Sequence, residues 1–487
     1  MKKPALAAVC LSFVCATATA QDARTVIANA QRALGNPQSI TYSGAARDVA
    51  FQQCGGNATA MICHGTHDPM RPITNYVRVI DLQTPSSRQR GDTMNYGPGG
   101  STTPMPGTFF QEVTPQEADV SQPWAQSLDF YITPWGFLKG AAENDATASR
   151  RRVDGEEYTV LSWSPTVKAP SGNAYTVNAY VNDENLIERV ETWLGENIMG
   201  DMHIVATYSG WRDFDGFQVP TQIVQTRGGW PFFEVDVMHA RGNPPDLASL
   251  APAPADRRRG PGGGPPQQFD ITKEQLGEGV YRYTTGQGSY DSLVVEFDDY
   301  VMMLEAGQSQ ARAQAYVDEI KRQFPGKPIR YVFVTHPHSD HTGGLPLLVA
   351  EGATIITQEN NREFFERAFG TPRTLLDDAL ARNPRRVRIE SFTDKAVYSD
   401  GDRTVEFYHI YPAPHSNGLA VAYLPREKIL FQGDFSVIPG QPANDHVRAL
   451  VPALEKLGID YERYINVHAS AAPQTKADVM AAMQMPR

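Results

Sequence analysis

Four side chains able to hold a metal ion fall within six residues: His336-Pro337-His338-Ser339-Asp340-His341, followed by Thr342-Gly343-Gly344. They come directly after an apolar, strand-like run, IRYVFVT at 329–335. The end of a strand is where an α/β sheet presents its site. Histidines two apart on an extended segment point to the same side, so His336 and His338 can reach one ion. Asp340 and His341 follow as the chain turns, which lets them face a second ion. Gly343 and Gly344 permit the tight turn and the close approach of the next helix. A lone histidine pair would read as a surface loop; four donors at this spacing after an apolar strand do not.

Three more donors stand after strand-like runs downstream. His415 lies in APHSNG after 404–411, Asp434 in ILFQGDF after 428–432, and His468 in RYINVHAS after 464–467. Singly each is weak, since an aspartate after a strand is more often a cap. Together, in this order, they complete a set of seven donors. Two divalent ions about 3.5–4 Å apart can hold a hydroxide between them and lower the pKa of water toward 7. Such a hydroxide attacks a carbonyl carbon or a phosphorus. Asp340 is the best candidate to take and return a proton. Nitrogen and oxygen donors suit zinc, and iron and manganese are tolerated by the same set. His409 falls within a strand and reads as core. His446, at the start of a helix, is a candidate substrate contact. His203 and His239 are single histidines within strands and read as structural.

The elements that must position these donors come in a mixed strand and helix order from residue 269 onward, which indicates a layered α/β domain. Strand-like VYRYTTG, SLVVEF and YVMMLEAG come first. The spacing of Ala313, Tyr316, Val317 and Ile320 then predicts a helix over 309–323. Upstream, the Pro- and Gly-dominated text NPPDLASLAPAPADRRRGPGGGPPQQ cannot sustain a helix or pack a core. It sets a linker at 246–268 between 21–245 and 269–487. The first half opens with a helix near 22–34, ended by Gly35-Asn36-Pro37, and a loop-rich stretch runs on to about 120. From about 150 the text alternates as an antiparallel meander, with turns at Asn182-Asp183 and Asp215-Gly216. No catalytic cluster is visible there.

The second half resembles the metallo-β-lactamase fold superfamily over essentially all of 275–487, on the H-x-H-x-D-H-x-G-G text and the three later donors. The resemblance implies an αββα sandwich with its site at one edge of the two sheets. It implies that His336, His338 and His415 bind one metal, that Asp340, His341 and His468 bind the other, and that Asp434 bridges them. An aspartate at that bridge is the glyoxalase II and lactonase pattern. Glu305 in MMLEAG departs from the aspartate many members carry there, at a position that supports the ligands. The text NAYVNDENLIERVETW followed by YSGWRDFDGFQVPTQIV resembles the curved half-barrel of periplasmic lipoprotein carriers of the LolA type. That resemblance implies an apolar concave face for a lipid-like or hydrophobic group.

The 487 residues suffice for two or three domains. With 41% hydrophobic and 20% charged residues, the chain is neither disordered nor a membrane bundle. A net charge of −11 disfavours a nucleic-acid partner. Residues 1–20, MKKPALAAVCLSFVCATATA, read as an export signal: a basic start, a short apolar run and Ala18-Thr19-Ala20 before Gln21. The run is too short to span a bilayer, and no later stretch is apolar enough. A periplasmic or secreted location follows. Cys54 and Cys63 then meet oxidising conditions and favour a disulfide over a metal site with His64 and His67.

These readings converge on an exported two-zinc hydrolase of an ester, lactone, thioester or amide. The substrate expected is a small molecule of hydrophobic or acylated kind. A mononuclear iron oxidoreductase of the persulfide dioxygenase kind is the alternative. A flavodiiron protein is disfavoured because His338 stands where that pattern has glutamate. A nuclease is disfavoured by charge and leader, and a β-lactamase by Asp434. A purely structural zinc site is closed by four protein donors, whereas three donors plus a shared Asp434 leave room for water.

Overall fold

The computed structural model describes residues 22–49, 70–96, 102–113, 123–252, 269–285, 290–401, 403–413, 415–468 and 473–486. The leader at 1–20, both Cys54 and Cys63, and 253–268 lie outside the described residues.

Alternation of apolar and polar residues in the first half produces one eleven-stranded sheet. Its spatial order is 102–113, 86–96, 71–81, 39–48, 230–242, 217–227, 200–214, 187–196, 177–181, 156–163 and 147–153. Neighbouring strands pair antiparallel throughout. The sheet's apolar face is covered by the chain's own helices Ala23–Ala33, Pro123–Tyr131 and Pro134–Glu143. Trp163 of the sheet packs against Trp124, Tyr131 and Phe137 of these helices.

Two expectations from the sequence are corrected here. The stretch read as loop-rich to about 120 contains strands Ser39–Asp48, Arg71–Asp81, Ser86–Tyr96 and Thr102–Val113. Their text is rich in Ser, Thr, Arg, Gly and Pro, so the alternation is faint, and pairing is set by neighbours in space rather than by local preference. Pro104 lies in the edge strand, where a missing N–H is tolerated. The linker also begins with a one-turn helix, Leu247–Leu250, capped by Asp246 Oδ1 accepting from Ser249 N at 3.3 Å. Arg90 Nη1 donates to Pro252 O at 3.1 Å and ties this start to the sheet.

The second half is an α/β sandwich of two sheets. One runs 271–277, 280–285, 290–296, 301–304, 329–333, 354–358, 389–392; the other runs 395–400, 403–409, 420–424, 429–432, 463–466, 474–475. Strands 301–304, 329–333, 354–358 and 389–392 are mutually parallel. Between the sheets lies an apolar layer that includes Phe333, Ile356, Phe407, Ala422, Phe431 and Ile465. Phe333 and Phe407 stack with ring centres 4.2 Å apart. Helices Asp445–Lys456 and Lys476–Gln484 cover the second sheet. Gln310–Gln323 and Leu345–Glu351 cover the first. The four layers of the αββα expectation are therefore present.

The two halves share a single apolar cluster. It joins Ile198, Met199 and Met202 of the long sheet to Leu345, Phe364, Leu375 and Leu380 of the sandwich. Among the described residues, no helix is long and apolar enough to cross a membrane.

Glu191, inside the long sheet, carries a pH-dependent share of stability. Burial pushes its carboxyl up, but bonds from His203, Tyr180 and Asn178 and the charge of Arg189 outweigh it and hold the pKa at about 2. A depressed carboxyl stabilises the fold above its ordinary value of 4.5, and that share is lost as pH falls toward 2. The unfolding free energy of wild type should exceed that of Glu191→Gln at pH 7, by a margin that shrinks from about pH 4.5 downward. A margin constant to pH 2.5 in denaturant titrations would contradict this.

Candidate metal centre

Strand Ile329–Phe333 is interior to its sheet, and its last residues are buried. Beyond it the chain bends at Thr335 and His336, is extended again at His338, then winds one turn at Ser339–Thr342. That turn carries Asp340 and His341. The stacked Phe333 and Phe407 hold the two sheets at a fixed spacing. The loop after strand Arg403–His409 delivers His415, and His409 Nε2 bonds Asn417 O at 2.7 Å within that loop. Asp434 follows strand Ile429–Gln432, and His468 follows strand Arg463–Asn466.

All seven residues singled out in the sequence come together. His336, His338, His415 and Asp434 form one group, and Asp340, His341, Asp434 and His468 another; within each group the donor atoms lie within 4.8 Å of one another. Asp434 faces both. Its Oδ2 is 2.8 Å from His415 Nε2 and 3.4 Å from His336 Nε2. Its Oδ1 is 2.7 Å from His341 Nε2 and 3.1 Å from His468 Nε2. Asp340 Oδ2 is 3.1 Å from His468 Nε2 and 3.5 Å from His341 Nε2.

This arrangement fits cations. His336 Nε2 lies 2.9 Å from His338 Nδ1 and 3.1 Å from His415 Nε2. A neutral imidazole has one donor and one acceptor nitrogen, so three rings crowding one point cannot all satisfy each other. A shared positive ion satisfies them together. Electrostatics agree. Burial and neighbouring His341 push His336 down to about 4, and burial with His336 holds His338 well below its usual value. Burial thus favours the neutral form of both rings, the form that can donate a lone pair. Burial also opposes charge on His341 and His468, yet Asp434 and Glu305 raise the former well above its usual value, and Asp340 and Asp434 raise the latter to about 9. The second group thus calls for positive charge. Burial raises the Asp434 carboxyl, but His341 and His336 hold it far below the usual range.

Supporting residues fix these donors, and sequence spacing gave no sign of most of them. Glu305, fully buried, accepts from Thr335 N at 2.8 Å and from His341 Nδ1 at 2.9 Å. That bond turns His341 Nε2 toward Asp434. Tyr290 donates to Glu305 Oε2 at 3.2 Å, and its ring meets His468 edge-on at 5.6 Å. Asn466 Oδ1 accepts from His468 N at 2.7 Å. Gln432 grips the Asp434 turn, accepting from Phe435 N at 2.8 Å and donating to Phe435 O at 3.1 Å. Gly433 is required there, because a Cβ would lie 2.7 Å from Thr335 Oγ1 and 3.1 Å from the His336 ring. His446 lies beside the centre, its ring 5.1 Å from His415 and 5.3 Å from Phe435. His203 is remote: it stacks on Trp193 and bonds Glu191.

Glu305 adopts a positive φ of 73° that L residues rarely take. A side chain held in this way and bonded three times is expected to serve the centre. Glu305→Gln should weaken metal uptake about 10- to 100-fold, as read by chelator competition. Unchanged uptake would show that His341 needs no such brace.

Residues 285–473 match the family model of the Metallo-beta-lactamase superfamily, and all seven residues fall inside that range. This segment is a metallo-β-lactamase domain. The chain is also 27% identical over 192 residues to 2,4-dinitroanisole O-demethylase subunit alpha of Nocardioides sp. (strain JS1661), a match covering 38% of this chain. It spans about half of that relative, 54% of its length. A Metallo-beta-lactamase from Pontibacter korlensis is similar in structure, with a TM-score of 0.33 and 19% identity, over 45% of this chain and 99% of the other.

Proposed function

We propose that this protein is a metal-dependent hydrolase whose centre takes two divalent cations, zinc in the first instance, and cleaves an ester, lactone, thioester or amide. The observation that supports it most is Asp434, whose two carboxylate oxygens face separate donor groups, 2.8 Å from His415 and 2.7 Å from His341. On this reading His336, His338 and His415 hold one ion, Asp340, His341 and His468 the other, and Asp434 both. Iron and manganese suit the same donors. Bound ions of this kind polarise a substrate oxygen and lower the pKa of water toward 7.

The chain's own residues do the rest. Glu305 keeps His341 in one tautomer and orientation. Asp340 is partly exposed, with 26% of its side chain accessible. Its carboxylate is the group we assign to take the proton of the attacking water and return it to the leaving group. His446, partly exposed and backed by the buried Phe435, stands beside His415, where a substrate's apolar part can rest.

The test is an activity screen of the zinc-loaded full chain over lactones, thioesters, β-lactams, phosphodiesters and, given the relative's name, 2,4-dinitroanisole. Elemental analysis accompanies it. Two zinc ions per chain with hydrolysis of one class supports the reading; one iron per chain with oxygen consumption replaces it with an oxygenase. The leader pattern at 1–20 supports export, and full-length protein retained inside the cell with residues 1–20 uncut would remove that part.

A further inference from the structure

The centre's turn at Ser339–Thr342 ends at Gly343, and the carbonyls that close a helical turn lack partners within it. The partner for Gly343 O comes from the other half of the molecule. Asn197 Nδ2 donates to it at 2.7 Å. Asn197 sits in the tight connection between strands Ile187–Glu196 and Gly200–Phe214 of the long sheet. It cannot swing freely. Gln310 Nε2 donates to Asn197 Oδ1 at 2.8 Å, and Arg373 Nη2 donates to Asn197 O at 2.7 Å. Glu196 Oε2 accepts from Ile198 N at 2.8 Å and Met199 N at 2.7 Å and so shapes the connection from within.

The connection is also locked onto the sandwich. Asp201 accepts from Thr374 N at 2.8 Å, Thr374 Oγ1 at 2.7 Å and Leu375 N at 2.9 Å, and Asp201 N donates to Pro372 O at 2.6 Å. On its other side Gly343 is pressed against the chain, since a Cβ there would lie 2.0 Å from Gln308 O. The turn is thus held between 308 and Asn197, with His341 and Asp340 two and three residues before Gly343.

We infer that Asn197 is a positioning residue of the metal centre, and that the long sheet is a built-in part of the site's frame. It acts through Gly343 on Asp340 and His341, and hence on one ion position only. His336 and His415 lie outside this turn, and His338 meets it only as its N-cap residue, through its carbonyl. The inference rests on the two-cation reading given above.

The experiment is a cobalt(II) titration of the metal-free full chain, followed by visible absorption and chelator competition, for wild type, Asn197→Asp and Gln310→Ala. Asn197→Asp keeps the shape and the acceptor for Gln310 but loses the donor to Gly343. Gln310→Ala leaves Asn197 in place without its brace and guards against misfolding of the first variant. The second equivalent of cobalt should bind about 10-fold or more weaker in Asn197→Asp, and to a lesser degree in Gln310→Ala, with the first equivalent unchanged. Equal weakening of both equivalents, or no change in either variant while wild type binds two, overturns the inference and leaves the two-cation reading intact. A wild type that binds a single equivalent or none overturns both.

Discussion

Asp434→Ala is expected to leave at most one metal ion per chain where wild type holds two, and to lower turnover by about 1000-fold or more. The expectation follows from the carboxylate's place between the two donor groups. Without it each group keeps three protein donors, but the first loses its only carboxylate and the second keeps Asp340 alone, while the histidines remain crowded against each other. A second readout is thermal. Ions that bind only the folded chain raise its stability by about 2.7 kcal/mol at one hundred times the dissociation constant. The rise in midpoint on adding zinc should therefore shrink markedly in Asp434→Ala. A variant that still carries two ions by elemental analysis, with the wild-type thermal gain, would show that Asp434 is a bystander.

The second large effect is at Asp340. Asp340→Asn keeps a side-chain oxygen near His468 but removes the proton acceptor. Turnover is expected to fall by about 100- to 10,000-fold, while excess metal restores full loading. The separation of the two readouts identifies the role. Turnover that returns with loading would mean that Asp340 is a ligand alone and that another group moves the proton. His446 would then be the next side chain to replace, since its ring lies 5.1 Å from His415.

Most of the centre was legible because its donors obey local rules. His336 to His341 are close in sequence, and His415, Asp434 and His468 each stand just past an apolar strand, so reading strand ends was enough to collect them. The strands themselves were visible by their apolar runs, as in IRYVFVT and ILFQ. What escaped has no local signature. Asn466 bonds His468, Tyr290 bonds Glu305 and Gln432 bonds Phe435 through contacts fixed by tertiary packing, and their spacing in the sequence says nothing of it. The strands at 71–113 were hidden by Gly, Pro and Ser at positions where an apolar residue would have marked the alternation. Asn197 is the extreme case. Its bond to Gly343 spans 146 residues and joins halves that the Pro- and Gly-rich text separates along the chain.

The central claim is that one carboxylate stands between two cation positions. Anomalous diffraction from crystals of the zinc-loaded full chain, recorded on both sides of the zinc absorption edge, measures this directly. Two peaks are predicted, one enclosed by His336, His338 and His415 and the other by Asp340, His341 and His468, with the Asp434 oxygens between. A lone peak in zinc-saturated crystals, or peaks away from these side chains, would contradict it.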